Sequence, residues 1–152
     1  MKYVILIPIY NDRESLKLLL ENINSEIKDL NHEISIVVIN DASSQQIIDN
    51  YPNIENISSL EIINMKANRG HTRCIASGLK YISERKDYNF IIPMDGDGED
   101  RPVEIKNFIQ FSEQSNDKSI IGERVKRSEG LFFKICYHFH KFLTLAFTGK
   151  SI

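Results

Sequence analysis

The sequence predicts an α/β fold in which a mostly parallel sheet carries helices on both faces. Apolar runs without alternation, Tyr3 to Ile7 and Ile34 to Ile39, suit strands buried on two sides. Stretches with apolar residues every three or four positions separate such runs. The segments that follow the runs are dense in Asn, Asp, Ser and Gly, the residues of turns at strand ends.

Tyr3 to Ile7 is the first strand. Asn11 or Asp12 caps a helix whose apolar positions Leu16, Leu19, Leu20, Ile23 and Ile27 keep the helical period. Ile34 to Ile39 is the second strand, and a short polar helix is expected near Gln45 to Asp49, closed by Tyr51 and Pro52. Leu60 to Ile63 is the third strand. Asn68-Arg69-Gly70 then turns into a helix with Ile75, Leu79 and Ile82 on one face. Phe90 to Met94 is the fourth strand, where Pro93 is tolerable only at a strand end or an edge. Pro102 opens a helix that buries Val103, Ile105, Phe108 and Ile109. Ser119 to Gly122 reads as a short fifth strand.

The 152 residues suffice for one domain, and 41% hydrophobic with 26% charged residues is an ordinary globular balance. A net charge of −2 argues against a nucleic-acid partner. The two cysteines, Cys74 and Cys136, make no disulfide framework and no cysteine zinc site. No stretch reaches the roughly 18 uncharged apolar residues of a membrane span, so a cytoplasmic chain is expected. Charge is uneven: residues 1–120 hold 13 Lys and Arg against 19 Asp and Glu, a net of −6, whereas residues 121–152 hold 6 against 2, a net of +4. The division follows as an acidic body, residues 1–125, and a basic aromatic tail, residues 126–152.

In open parallel sheets ligands bind beyond the carboxyl ends of the strands. That rule selects Pro8 to Asp12, Asn40 to Ser43, Asn68 to Arg73 and Asp95 to Arg101, which are also the most chemically loaded stretches. Asp95-Gly96-Asp97-Gly98-Glu99-Asp100 sets four carboxylates in six residues. Such a cluster repels itself until a cation or solvent relieves it. Oxygen donors of this kind suit Mg²⁺ or Mn²⁺, which keep open positions for a diphosphate. A solvated acidic turn before a helix is the alternative, and the strand-end location favours the cation. Gly70-His71-Thr72-Arg73 opens a helix whose amides and dipole can receive phosphate, although neither a dinucleotide fingerprint nor a P-loop is present.

In order along the chain, these segments resemble the family 2 glycosyltransferases with the GT-A (Rossmann-like) fold. Pro8-Ile9-Tyr10-Asn11-Asp12 is similar to their opening Pro-x-Tyr-Asn-Glu, and Asn40-Asp41-Ala42-Ser43 to their Asp-Asp-Gly-Ser turn. Asn68-Arg69-Gly70-His71, with Ala76 and Gly78, is similar to their Asn-x-Gly helix entry. Met94 to Pro102 is similar to their Asp-x-Asp strand end with its Pro-led helix. Glu99 and Pro102 draw the likeness toward the polyprenyl-phosphate and dolichol-phosphate sugar transferases. The likeness covers the donor-binding half of that family's catalytic domain and stops before the acceptor-side segment that supplies a base.

The resemblance implies a donor pocket of Pro8, Tyr10, Asp12, Asp41, Gly70, Arg73 and Asp95, with Asp41 reading the base. It implies metal ligation by Asp95, Asp97 and Glu99, Asp97 being the principal ligand and the catalytic residue. For Gly70 and Arg73 a purely structural helix start is nearly as good a reading. Arg124 and Arg127 neutralise a diphosphate or acceptor phosphate, or are simply solvated. The implied reaction is inverting, metal-dependent transfer from a nucleotide-diphosphate sugar to an acceptor such as a polyprenyl phosphate or an envelope glycan. Two alternatives stand beside it. One is a truncated nucleotide-sugar-binding module that turns nothing over. The other is a sugar-phosphate nucleotidylyltransferase, demoted because no Gly-rich basic loop follows the first strand.

Residues 131–147, from Leu131 to Phe147, keep a helical period, with Phe132, Ile135, Phe139, Phe142, Leu143 and Ala146 on one side and Lys134, His138 and Lys141 opposite. This segment reads either as an interfacial helix at the cytoplasmic membrane face or as a helix packed on further protein. His32 reads as a solvated loop residue.

Overall fold

A computed structural model describes residues 1–45, 51, 53–114, 119–122, 136, 137, 139–141 and 143. The chain divides into two compact units, Met1–Lys118 and Ser119–Ile152. In the first, β1 (Lys2–Ile9), α1 (Arg13–Ile27), β2 (Glu33–Asn40), β3 (Ser59–Asn64), α2 (His71–Arg85), β4 (Phe90–Pro93) and α3 (Ile105–Gln114) follow one another, with a 3-10 turn at Pro102–Glu104 leading into α3. The four strands form one sheet in the order β3-β2-β1-β4, and every pairing is parallel.

The sheet has two covered faces, because the strands alternate which face each side chain meets. Tyr3, Ile5, Ile7, Ile34, Ile36 and Val38 pack with Leu16, Leu20 and Ile23 of α1 and with Ile105 and Ile109 of α3. Val4, Leu6, Val37 and Ile39 pack on the opposite face with Cys74 and Ile82 of α2. Central strands β1 and β2 are buried almost throughout, while β3 and β4 are half-buried. Pro93 is the last residue of β4, which pairs with β1 alone among the described strands, so its missing N–H is harmless.

Asp12 caps α1: its side chain accepts from the amide of Ser15 at 3.2 Å. The buried stripe of α2 is Cys74, Gly78 and Ile82, rather than the expected Ile75, Leu79 and Ile82. Leu79 is 37% exposed. The cause is Gly78, where a Cβ would stand 2.3 Å from Leu6 Cδ1 and 2.8 Å from Ile39 Cγ1. The helix therefore lies down on the sheet along its smallest residues. At its far end Arg85 pairs with Glu61 of β3 and with Asp87, while Tyr81 donates to Glu61 at 2.8 Å.

Three further expectations change. Val103, expected on the buried face of the Pro102-led helix, lies in the 3-10 turn and is exposed. His32 is tucked in, with its ring edge-on to Tyr3 at 5.4 Å and Nε2 3.2 Å from Glu113 of α3. Residues 119–122 form no strand, and Ile121 is 87% exposed. Only two apolar residues stand in that run, and with one of them in solvent there is no buried face to reward pairing. The expected polar helix near Gln45 to Asp49 falls largely on residues 46–50, outside the described residues. In the second unit residues 136, 137, 139–141 and 143 are helical, with Tyr137 and Phe139 exposed. No helix among the described residues is long and apolar enough to cross a membrane.

Gly78→Ala should crowd two fully buried side chains and outweigh the better helix propensity of alanine. Urea unfolding should show a net loss of about 1 kcal/mol or more.

Candidate active site

Because every strand is parallel, β1, β2, β3 and β4 all deliver their carboxyl ends to one edge of the sheet. Chains leaving a sheet there expose backbone groups that need partners, and polar side chains of neighbouring ends supply them.

Asn11, just past β1, has φ +53, a left-handed conformation that asparagine tolerates. Its amide donates to Ser43 Oγ at 2.8 Å, and its Oδ1 accepts from the amide of Ser44 at 2.8 Å. Asn40 ends β2 as a buried side chain. Its Oδ1 accepts from the amide of Ser43 at 3.0 Å, and its Nδ2 donates to Asn64 Oδ1 at 2.7 Å, at the end of β3. Three strand ends are thus tied by side chains, beside the backbone bonds from the amide of Asp41 to Ile9 O and from that of Met65 to Asn40 O, both 2.8 Å.

Asp41 follows, only 3% exposed. Its Oδ1 accepts from the amide of Arg69 and its Oδ2 from that of Gly70, both at 2.8 Å. Each oxygen takes one backbone donor at the mouth of α2, and the charge lies where the helix dipole favours an anion. Gly70 is the N-cap, at φ +84, and no side chain caps the helix; Asp41 instead holds the two residues that lead into it. Burial of the thiol, and after it the Asp41 charge, push the Cys74 pKa up to about 11.

The acidic segment begins directly after β4. The amide of Met94 donates to Leu6 O at 2.9 Å, the amide of Asp95 to Asp100 Oδ2 at 2.8 Å, and the amide of Glu99 to Asp97 Oδ1 at 2.9 Å. Gly96 lies against β1, where a Cβ would be 2.8 Å from the Pro8 carbonyl oxygen. Asp95 Oδ1 stands 3.3 Å from Nε2 of His71, the first residue of α2. Partial burial raises the Asp95 pKa, opposed by His71 and reinforced by Asp100, Asp97 and Glu99.

The residues selected from the sequence thus have definite places. Pro8 is buried in β1 and touches the acidic segment's backbone position, whereas Tyr10 is 52% exposed at the mouth. Asp12 is engaged as the cap of α1, and Arg73 is exposed in the first turn of α2. Asp41 and Gly70 meet directly, Asp95 is half-buried, and Asp97 and Glu99 are exposed. Arg124 and Arg127 lie outside the described residues. Asn11, Ser43 and His71 lie in the selected segments without a side-chain role at the site assigned to them, Asn11 being read only as a cap of α1 that Asp12 fills, and Asn64 lies outside those segments. The signal for His71 was its place beside Gly70 at a strand end, but nothing in the sequence pairs it with Asp95.

Among the described residues no three His, Cys, Asp or Glu side chains converge as a ready-made metal cage. The donor set nonetheless fits Mg²⁺ or Mn²⁺. Such ions are commonly held by one or two carboxylates together with substrate phosphates, and residues 95–100 present hard oxygen donors, with the Asp95 pKa pushed up first by partial burial and further by the charges of Asp100, Asp97 and Glu99.

The model of glycosyl transferase family 2 matches residues 4–148, nearly the whole sequence. The chain belongs to this family. Among curated proteins it is 29% identical over 154 residues to the undecaprenyl-phosphate 4-deoxy-4-formamido-L-arabinose transferase of Yersinia enterocolitica, covering 99% of this chain and 45% of that protein. The protein of the same description from Photorhabdus laumondii is likewise 29% identical, with 46% of its length covered. This chain therefore spans under half the length of these relatives. Among solved structures, S. aureus TarS superposes with a TM-score of 0.57 at 20% identity, over 84% of this chain and 24% of TarS. That likeness establishes the shared GT-A fold.

Two outcomes are expected from this geometry. Asp41→Asn leaves one amide of the Arg69–Gly70 pair facing an NH₂ group in a buried place, which should cost about 1–3 kcal/mol in unfolding free energy and speed hydrogen exchange at both amides. A carboxyl whose folded pKa is raised stabilises the fold below its unfolded pKa, and that contribution is lost as pH rises through the folded pKa. Asp95→Asn should accordingly melt above the parent at about pH 7 and lose that advantage at about pH 3, as read by thermal melts at both values.

Proposed function

We propose that this chain binds a nucleotide-diphosphate sugar at the carboxyl edge of its sheet and forms the donor side of an inverting, metal-dependent glycosyltransferase. The observation that carries this reading is the tying of four strand ends into one edge, with the acidic segment in ion-pair contact with the start of α2 at its mouth, in a chain of glycosyl transferase family 2. S. aureus TarS has been solved in complex with UDP and with UDP-GlcNAc, which favours a nucleotide-sugar donor here. The names of the curated relatives favour a polyprenyl phosphate as acceptor.

In this reading Tyr10 flanks the base and ribose, with Pro8 and Asp12 shaping the wall, and Gly70 and Arg73 lie on the nucleotide's other side on the turn that Asp41 holds. Asp95, Asp97 and Glu99 would hold Mg²⁺ or Mn²⁺, whose charge, when bound, lowers the energy of negative charge growing on the leaving diphosphate. Arg124 and Arg127 add positive charge for the diphosphate or the acceptor. An oxygen of the acceptor phosphate attacks the anomeric carbon, the bond from that carbon to the diphosphate oxygen breaks, and the diphosphate leaves with the electron pair. One displacement inverts the configuration. A phosphate acceptor is already ionised, so no proton has to be removed from it. Exposed Tyr137 and Phe139 suit a helix that rests at the cytoplasmic membrane face where a lipid acceptor is found.

Calorimetric titration with UDP and GDP, with and without Mn²⁺, tests the reading. Metal-dependent binding of one nucleotide is expected. Asp97→Ala should abolish the metal-dependent part while leaving the melting temperature unchanged, since Asp97 is exposed. A folded parent chain that binds neither nucleotide would sink the proposal.

A further inference from the structure

Two contacts join parts of the site that are far apart in sequence. Asp41, at the end of β2, holds the amides of Arg69 and Gly70. The next residue, His71, sets Nε2 3.3 Å from Asp95 Oδ1, at the end of β4. The two ends lie on opposite sides of β1, which separates β2 from β4 in the sheet. The mouth of α2 therefore bridges over β1, with a buried carboxylate at one foot and a carboxylate of the acidic segment at the other.

We propose that His71 is a positioning residue for Asp95. This rests on the donor-binding reading above. The Asp95 backbone is fixed by its amide's bond to Asp100, which leaves the direction of its carboxylate to be set from outside the segment. His71 sets it by engaging Oδ1, while Oδ2 takes no partner among the described residues. Asp41 holds the residue from which His71 starts: Gly70, at φ +84, is bonded to it through its amide. The acidic segment cannot provide this itself, because its other side chains bear the same charge and repel Asp95. A partner that holds a liganding carboxylate from behind sharpens metal affinity without touching the ion.

The test is calorimetry on the full chain with UDP and GDP, each with and without Mn²⁺, for the parent, His71→Ala and His71→Gln. His71→Ala should weaken the Mn²⁺-dependent binding by about tenfold, with the metal-free nucleotide affinity and the melting temperature unchanged. His71→Gln, whose side-chain amide can donate to Asp95, should recover most of the loss. Parent-like Mn²⁺-dependent binding by His71→Ala would overturn the inference and leave the donor-site reading intact. An equal loss with and without Mn²⁺, or a lowered melting temperature, would also overturn it, since a residue that merely stabilises the fold acts on both states. A folded parent that binds no nucleotide would refute the donor-site reading itself, and the inference with it.

Discussion

The carboxylate of Asp41 is the interaction on which the candidate site depends. A parallel sheet gathers its strand ends at one edge, but the gathering leaves loops whose amides point at one another's space with no ladder to satisfy them. Asp41 resolves the hardest case. It is buried, it is bonded on both oxygens, and it lies at the positive end of a fifteen-residue helix. A buried charge is tolerated only where donors replace the lost water, and here the donors belong to the element whose placement matters most. The same bonds engage only the amides of Arg69 and Gly70, ahead of α2, and the amides of the helix's own first turn are not among those Asp41 holds.

Much of the architecture is legible in the sequence, for reasons that differ by element. The central strands are read easily because burial on both faces demands an unbroken apolar run. The cap of α1 is read because its hydrogen bond lies within three residues. The buried face of α2 is misread by periodicity alone: Ile75 and Leu79 outrank Gly78 in hydrophobicity, yet helix-to-sheet distance is decided by the smallest residue at the contact. His32 and residues 119–122 are misread for a related reason. Whether a ring finds Glu113, or a short run finds a neighbour, depends on what the fold brings near and not on local composition.

The site follows the same division. The four loaded segments stand out because their residue types are unusual for connections, and the parallel topology tells where they meet. Their mutual bonds are not legible. Asn11 with Ser43, Asn40 with Asn64 and His71 with Asp95 are tertiary pairings between residues that each look like ordinary turn formers. The polarity of the segments was visible; the division of labour was not. Asp12 and Asp41 are largely engaged in holding loops, whereas Asp97 and Glu99 are turned outward from a segment whose own charges oppose one another.

The buried cysteine of α2 has a practical consequence. Cys74 is wholly enclosed, donates to the Ile39 carbonyl at 3.2 Å, and has its pKa pushed up to about 11, whereas Cys136 is exposed. The thiolate is the reactive form, so an alkylating reagent distinguishes the two sulfurs by kinetics. Modification of Cys74 requires α2 to lift from the sheet, and its rate becomes a clock for that opening. A bound ligand that tightens the mouth of α2 would slow this clock, giving the chain a built-in reporter at the helix that bridges β2 and β4.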